Sequence, residues 1–75
     1  MTDKTHTLFD LARFPENLRK VRLEKGMTYE EFAEAVGVSP RIVYDYESGL
    51  KRPRLETLVA IANALETSVD GLLHV

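Results

Sequence analysis

An all-α domain of five short helices is the fold class that this 75-residue sequence predicts, and three observations predict it. Apolar residues recur at intervals of three and four, and no segment has the alternation of a half-buried strand. Helix-opening residues are spread along the chain at Pro15, Thr28 with Glu31, Ser39 with Pro40, and Ser68. Glycines at Gly26, Gly37 and Gly49 stand where the first three of these runs should stop. A chain of this length holds one domain and buries only about 60% of its unfolded surface. It contains no cysteine, which excludes a disulfide framework and a cysteine-ligated zinc site as staples. Packing, helped by dimerisation, has to suffice.

Each element follows from local chemistry. The first helix starts near Pro15, whose missing N–H would have gone unpaired in the first turn anyway. It carries Leu18 and Val21 inward, with Arg22 on the same stripe and in need of a partner. Thr28 and Glu31 form a capping box for the second helix, flanked by Met27 and Phe32 as a hydrophobic staple. Tyr29, Phe32, Ala33 and Val36 fall on its buried stripe. The third helix starts two residues after Gly37, capped by Ser39 with Pro40 at its first position. A fourth helix follows Pro53, with Leu55, Leu58, Val59, Ala62 and Leu65 as its expected inner face. Ser68 caps a short fifth helix that returns Val69, Leu72 and Leu73 to the core. Residues 1–14 read as an N-terminal arm. Within it, Thr7 and Asp10 can cap a short extra helical turn bearing Leu8, Leu11, Ala12 and Phe14, and the apolar side chains Leu8, Phe9, Leu11 and Phe14 either offer a surface to a protein partner or dock on the chain's own first helix. Residues 15–75 form the domain.

The net charge of −2 is unusual for a partner of nucleic acid, but its distribution is uneven. Residues 15–26 and 39–54 each carry four basic and two acidic groups, whereas 27–38 and 55–75 each carry three acids and no Lys or Arg. One basic face on an acidic molecule is therefore possible. The 44% apolar and 29% charged content is that of a soluble globular domain. No apolar run approaches the ~20 residues needed to span a bilayer, and the N-terminus lacks the basic-then-apolar order of a secretory signal. The expected compartment is the cytoplasm, with no membrane partner. His6 and His74 give neither metal-ligand spacing nor a nucleophile and base, so no catalytic residue, metal or cofactor is expected.

Residues 15–74 resemble the phage repressor and Cro-like helix-turn-helix family, also called Xre-like. The resemblance rests on Leu18 to Arg22, on Gly26, Met27 and Thr28, on Glu31, Phe32 and Ala33, and on the run from Val36 to Ser39. Glu47, Ser48, Gly49 and Pro53 continue it, and residues 55–58 and 68–73 fit the family's last two helices. It implies a five-helix, lambda-repressor-like domain that binds double-stranded DNA as a homodimer, its third helix in the major groove. It also implies an internal salt bridge between Arg22 and Glu47. Three positions depart from the family: Tyr29, where a glutamine is common; Pro40, where a polar residue reaches the bases; and Arg54, where a serine or threonine caps the fourth helix.

The third helix carries the expected reading surface. With Ile42, Val43 and Tyr46 turned inward, Arg41, Tyr44, Asp45 and Ser48 should face out, with Ser39 and Pro40 at the end nearest the bases. Arg41 suits guanine O6 and N7, Asp45 can accept from cytosine N4, and Tyr44 can touch a thymine methyl or a phosphate. Phosphate contacts are expected from Thr28, Tyr29, Ser48, Lys51, Arg52 and Arg54, the last three beside the start of the fourth helix. The competing reading of Arg41 and the loop cations is a solvated polar face, and that of Tyr29 is packing. A transcriptional regulator is expected, and a repressor in particular, since a chain this short leaves no room for an effector domain. The alternative is a protein-interaction module or antitoxin on the same fold, with weak or no DNA binding.

Overall fold

A computed structural model describes residues 10–74, which form five α-helices: α1 (Phe14–Glu24), α2 (Tyr29–Val36), α3 (Pro40–Ser48), α4 (Leu55–Ala64) and α5 (Val69–Leu73). The local chemistry acts where it was expected. Thr28 accepts from the Glu31 N–H at 3.1 Å while the Glu31 carboxylate accepts from the Thr28 N–H at 2.9 Å. Ser39 caps α3 and Ser68 caps α5, each hydroxyl accepting from the N–H three residues on. Arg54 occupies the cap position of α4 and makes no side-chain bond to the helix.

The turn between α2 and α3 depends on Gly37. Its φ of 88° is left-handed, which costs an L-residue with a Cβ about 1 kcal/mol or more. In that conformation the N–H groups of Gly37 and Val38 both bond the Ala33 carbonyl, at 2.8 and 3.0 Å, closing α2 and turning the chain directly into α3.

α3 packs against both α1 and α2, α2 lies on α4, and α5 closes the bundle against α1 and α4. Between them sit Phe14, Leu18, Phe32, Val43, Ile61, Leu65 and Leu72, all fully buried. Phe14 meets Tyr46 edge-on, with ring centroids 6.1 Å apart. Asn17 fixes α5 to α1 by donating to the carbonyls of Leu72 at 3.0 Å and His74 at 2.8 Å. Among the described residues no helix is long and apolar enough to cross a membrane.

Two expectations need correction. Phe14, assigned to the arm and its partner surface, is the first residue of α1 and lies wholly inside the core. The 3-10 turn Leu11–Arg13, capped by Asp10, leads into it, and the Asp10 N–H donates to the Leu73 carbonyl at 2.8 Å, docking this stretch on α5. Thr7, Leu8 and Phe9 lie outside the described residues. Leu55 and Val59, expected on the inner face of α4, are 73% and 43% exposed; the inner face is Leu58, Ile61, Ala62 and Leu65. Val59 is set about 100° around the helix from Leu58, and Leu55 stands at the helix's open first turn.

The turn supplies a stability test. A Cβ at Gly37 would meet no atom within 4 Å, so the penalty for Gly37→Ala is conformational, about 1 to 2 kcal/mol in urea unfolding. Gly37→Asn should lose less than half as much, since asparagine tolerates the left-handed region; equal losses would point to a different origin.

Candidate nucleic-acid interface

The site is organised by a buried ion pair. Arg22, from the inward stripe of α1, donates through Nε to Glu47 Oε2 at 2.6 Å and through Nη2 to Glu47 Oε1 at 3.2 Å. Its Nη1 donates to the Met27 carbonyl at 2.6 Å. The two side chains are 8% and 4% exposed, so this one guanidinium ties α1, the turn before α2, and α3 together away from water. The bonds to Glu47 outweigh desolvation and hold the arginine above its ordinary pKa.

A line of contacts runs outward from this pair to the surface of α3. The Arg22 guanidinium lies 4.5 Å from the centroid of the Tyr29 ring, a cation–π arrangement. Tyr29 meets Tyr44 edge-on at 6.4 Å. The Arg41 guanidinium lies 5.6 Å from the centroid of the Tyr44 ring, and Arg41 Nε donates to Asp45 Oδ1 at 3.1 Å. Tyr29 is therefore half-buried between a structural arginine and a surface tyrosine, where packing is its visible role.

The exposed face of α3 differs from the expected one at a single position. Ser39, Pro40, Arg41, Tyr44 and Ser48 are exposed, and the Arg41 side chain is 74% so. Asp45 lies one turn on from Arg41 on the same side of the helix but is covered: its side chain is 8% exposed. Its carboxylate pairs with Arg41 one turn back, and its backbone carbonyl is occupied in closing the helix. That carbonyl accepts from the N–H groups of Leu50 at 2.9 Å and Lys51 at 3.3 Å, and from the Ser48 hydroxyl at 3.2 Å. The loop holding Lys51, Arg52 and Arg54, all exposed, thus hangs from the C-terminal end of α3. Lys51 and Arg52 border a recess of about 220 Å³ against Leu11, Phe14 and Pro15. Thr28 is exposed at the start of α2, its hydroxyl engaged in the capping box.

A residue not singled out from the sequence also belongs here. Arg19 of α1 lines a cleft with Tyr29, Tyr44, Glu47 and Ser48. Its signal was its position one turn before Arg22, within the basic segment 15–26.

The arrangement of a capped helix, a left-handed glycine turn and a second helix presenting an arginine matches a known family. The helix-turn-helix family model fits residues 18–72. The chain belongs to the helix-turn-helix family. The matched span of this helix-turn-helix domain includes both members of the buried pair, all of α2, α3 and α4, and the cationic loop. YqaE of Bacillus subtilis, an uncharacterised HTH-type transcriptional regulator, is 38% identical over 60 residues, which are 80% of this chain and 52% of that protein. The chain thus spans about half the length of the curated relatives it matches. The P22 c2 repressor, solved in complex with a synthetic operator, has a TM-score of 0.76 at 30% identity, covering 80% of this chain and 91% of that one. Hydroxypropylphosphonic acid epoxidase from S. wedmorenis has a TM-score of 0.80 at 29% identity, but only 36% of that chain is covered, so there the fold is the smaller part of an enzyme.

The ion pair gives this helix-turn-helix domain a measurable weakness. Arg22→Ala, which strands the Glu47 carboxylate out of water, should cost about 3 to 5 kcal/mol in urea unfolding. The paired change Arg22→Met with Glu47→Leu should recover most of that loss; a single-mutant cost below ~1 kcal/mol would contradict burial of the pair.

Proposed function

We propose that this domain is a sequence-specific reader of double-stranded DNA, acting as a homodimeric transcriptional repressor in the cytoplasm, with α3 in the major groove. The observation that carries the reading is the coupling on α3 of an exposed arginine, Arg41, to a loop of three exposed cations anchored at the same helix's end. The two parts do different work. A guanidinium fork can bond guanine O6 and N7 together, which distinguishes one base pair from the other three. Lys51, Arg52 and Arg54, with Arg19, Thr28, Tyr29 and Ser48 around the adjoining cleft, suit phosphates, which fix register without reading sequence. Ser39, Pro40 and Tyr44 complete the base-facing end of α3. Asp45 is left out of direct contact because its carboxylate is buried.

Repression is favoured over activation because occupancy alone occludes a promoter, and P22 c2, which shares the fold at 30% identity, is a repressor. No residue is given a catalytic role. The surface for a second copy is the pair Leu55 and Val59, one turn apart on α4 and 73% and 43% exposed. Side chains of this kind grouped at one end of a helix are what a symmetric contact would cover.

Titration of random-sequence and selected duplexes at two salt concentrations tests the division of labour. Arg52→Ala should weaken binding to every duplex and reduce the slope of log affinity against log salt by about 0.9 for each protomer, about 1.8 for the dimer. Arg41→Ala should instead relax base discrimination, by about 1 to 3 kcal/mol at one base pair. Identical effects from the two variants would sink the assignment, and no binding at low salt would favour a protein-interaction module. For the dimer, Leu55→Glu should shift the mass measured by light scattering to that of one chain and weaken operator binding; an unchanged mass would clear this surface of the role.

A further inference from the structure

We propose that Asp45 is a positioning residue for Arg41: it sets the direction of the guanidinium fork and so decides which base pair Arg41 reads. The proposal rests on the DNA-reading function above and concerns the same surface. The geometry is specific. Asp45 keeps its carboxylate 8% exposed, and the side chain it engages is an arginine that is 74% exposed. The bond runs from Arg41 Nε to Asp45 Oδ1 at 3.1 Å. A guanidinium is a rigid planar fork of five N–H groups. Holding it at Nε leaves the far edge, Nη1 and Nη2, for a two-pronged bond to a base. The Tyr44 ring, its centroid 5.6 Å from the guanidinium carbon, is a second neighbour of the same group.

Stability alone does not account for a carboxylate here. An ion pair with a mostly exposed arginine contributes little to folding, and burying the acid costs free energy. Beside a DNA-facing surface its charge also opposes phosphate binding. The gain is in orientation: a free arginine side chain samples many rotamers that binding must freeze, and one already held loses less. The expected signature therefore has two opposite parts, with discrimination falling when Asp45 is removed while affinity for unrelated DNA stays level or rises.

The experiment first selects preferred duplexes with the wild-type domain. It then titrates wild type, Arg41→Ala, Asp45→Ala and the double variant against the selected duplex and its single base-pair changes, with thermal melting to verify folding. Asp45→Ala should flatten the preference about tenfold at one base pair, the same one that Arg41→Ala affects. The double variant should discriminate no worse than Arg41→Ala alone. Asp45→Asn, which keeps an acceptor for Nε without the charge, should retain part of the preference and serves if Asp45→Ala does not fold. Intact discrimination in Asp45→Ala, or a loss at a different base pair that adds to the Arg41 effect, would overturn the positioning role. Unfolding of both Asp45 variants would overturn it too, by assigning the carboxylate to stability. A wild-type domain that selects no sequence would overturn the DNA-reading function itself, before any substitution is compared.

Discussion

The bidentate bond between Arg22 and Glu47 is the constraint on which the rest of the domain depends. Hydrophobic packing brings α1, α2 and α3 together, but apolar contacts are non-directional and tolerate sliding and rotation. Two parallel N–H to carboxylate bonds, with a third to the Met27 carbonyl, fix the rotation of α3 about its axis relative to α1. A pair of this kind need not add net stability, because desolvation offsets most of the attraction. Its contribution is to make one packing arrangement preferable to its neighbours. Tyr29, Tyr44, Arg41 and Asp45 then follow from it in sequence, each placed by contact with the last.

Charge separation works on a larger scale in the same molecule. The chain is acidic overall, yet half of its acids serve in caps, on the exposed side of α2, or in holding arginines at Glu47 and Asp45. Three of its cations are left in a short exposed loop. A surface potential follows the arrangement of charges within a Debye length, about 8 Å at physiological salt, rather than the sum over the chain. Within that distance of the loop, an anionic polymer is governed by the loop's cations rather than by the net charge of the chain.

How much of this was legible in the sequence depends on the range of the interactions. The caps at Thr28, Ser39 and Ser68, and the turn at Gly37, are made by residues within four positions of each other, and they are where the pattern places them. The pair of Arg22 and Glu47 spans 25 residues; spacing indicates only that Arg22 needs a partner, and the partner's identity came from family resemblance. Asp45 was misplaced because a helical wheel gives the direction of a side chain and not what covers it. On α4 the difficulty was an excess of signal. Leu55, Leu58, Val59, Ile61 and Ala62 make the helix apolar on several sides, and only the neighbouring helices decide that Leu58 and Ile61 go in while Leu55 and Val59 stay out. Phe14 was lost at a boundary drawn one residue too late, at Pro15. The docking of α5 through Asn17 left no local trace, since an asparagine bonding carbonyls more than 50 residues away looks like any surface amide.

The loop after α3 is suspended from the main-chain carbonyl of Asp45, and every residue possesses such a carbonyl. Substitutions at Lys51, Arg52 or Arg54 leave that suspension in place, and so do substitutions of the Asp45 side chain. Under the proposed function, the strength with which this domain grips a polyanion can therefore drift over evolutionary time separately from the pattern it prefers. On that reading a lineage retunes occupancy one surface cation at a time, without passing through variants whose α3 has lost its seat.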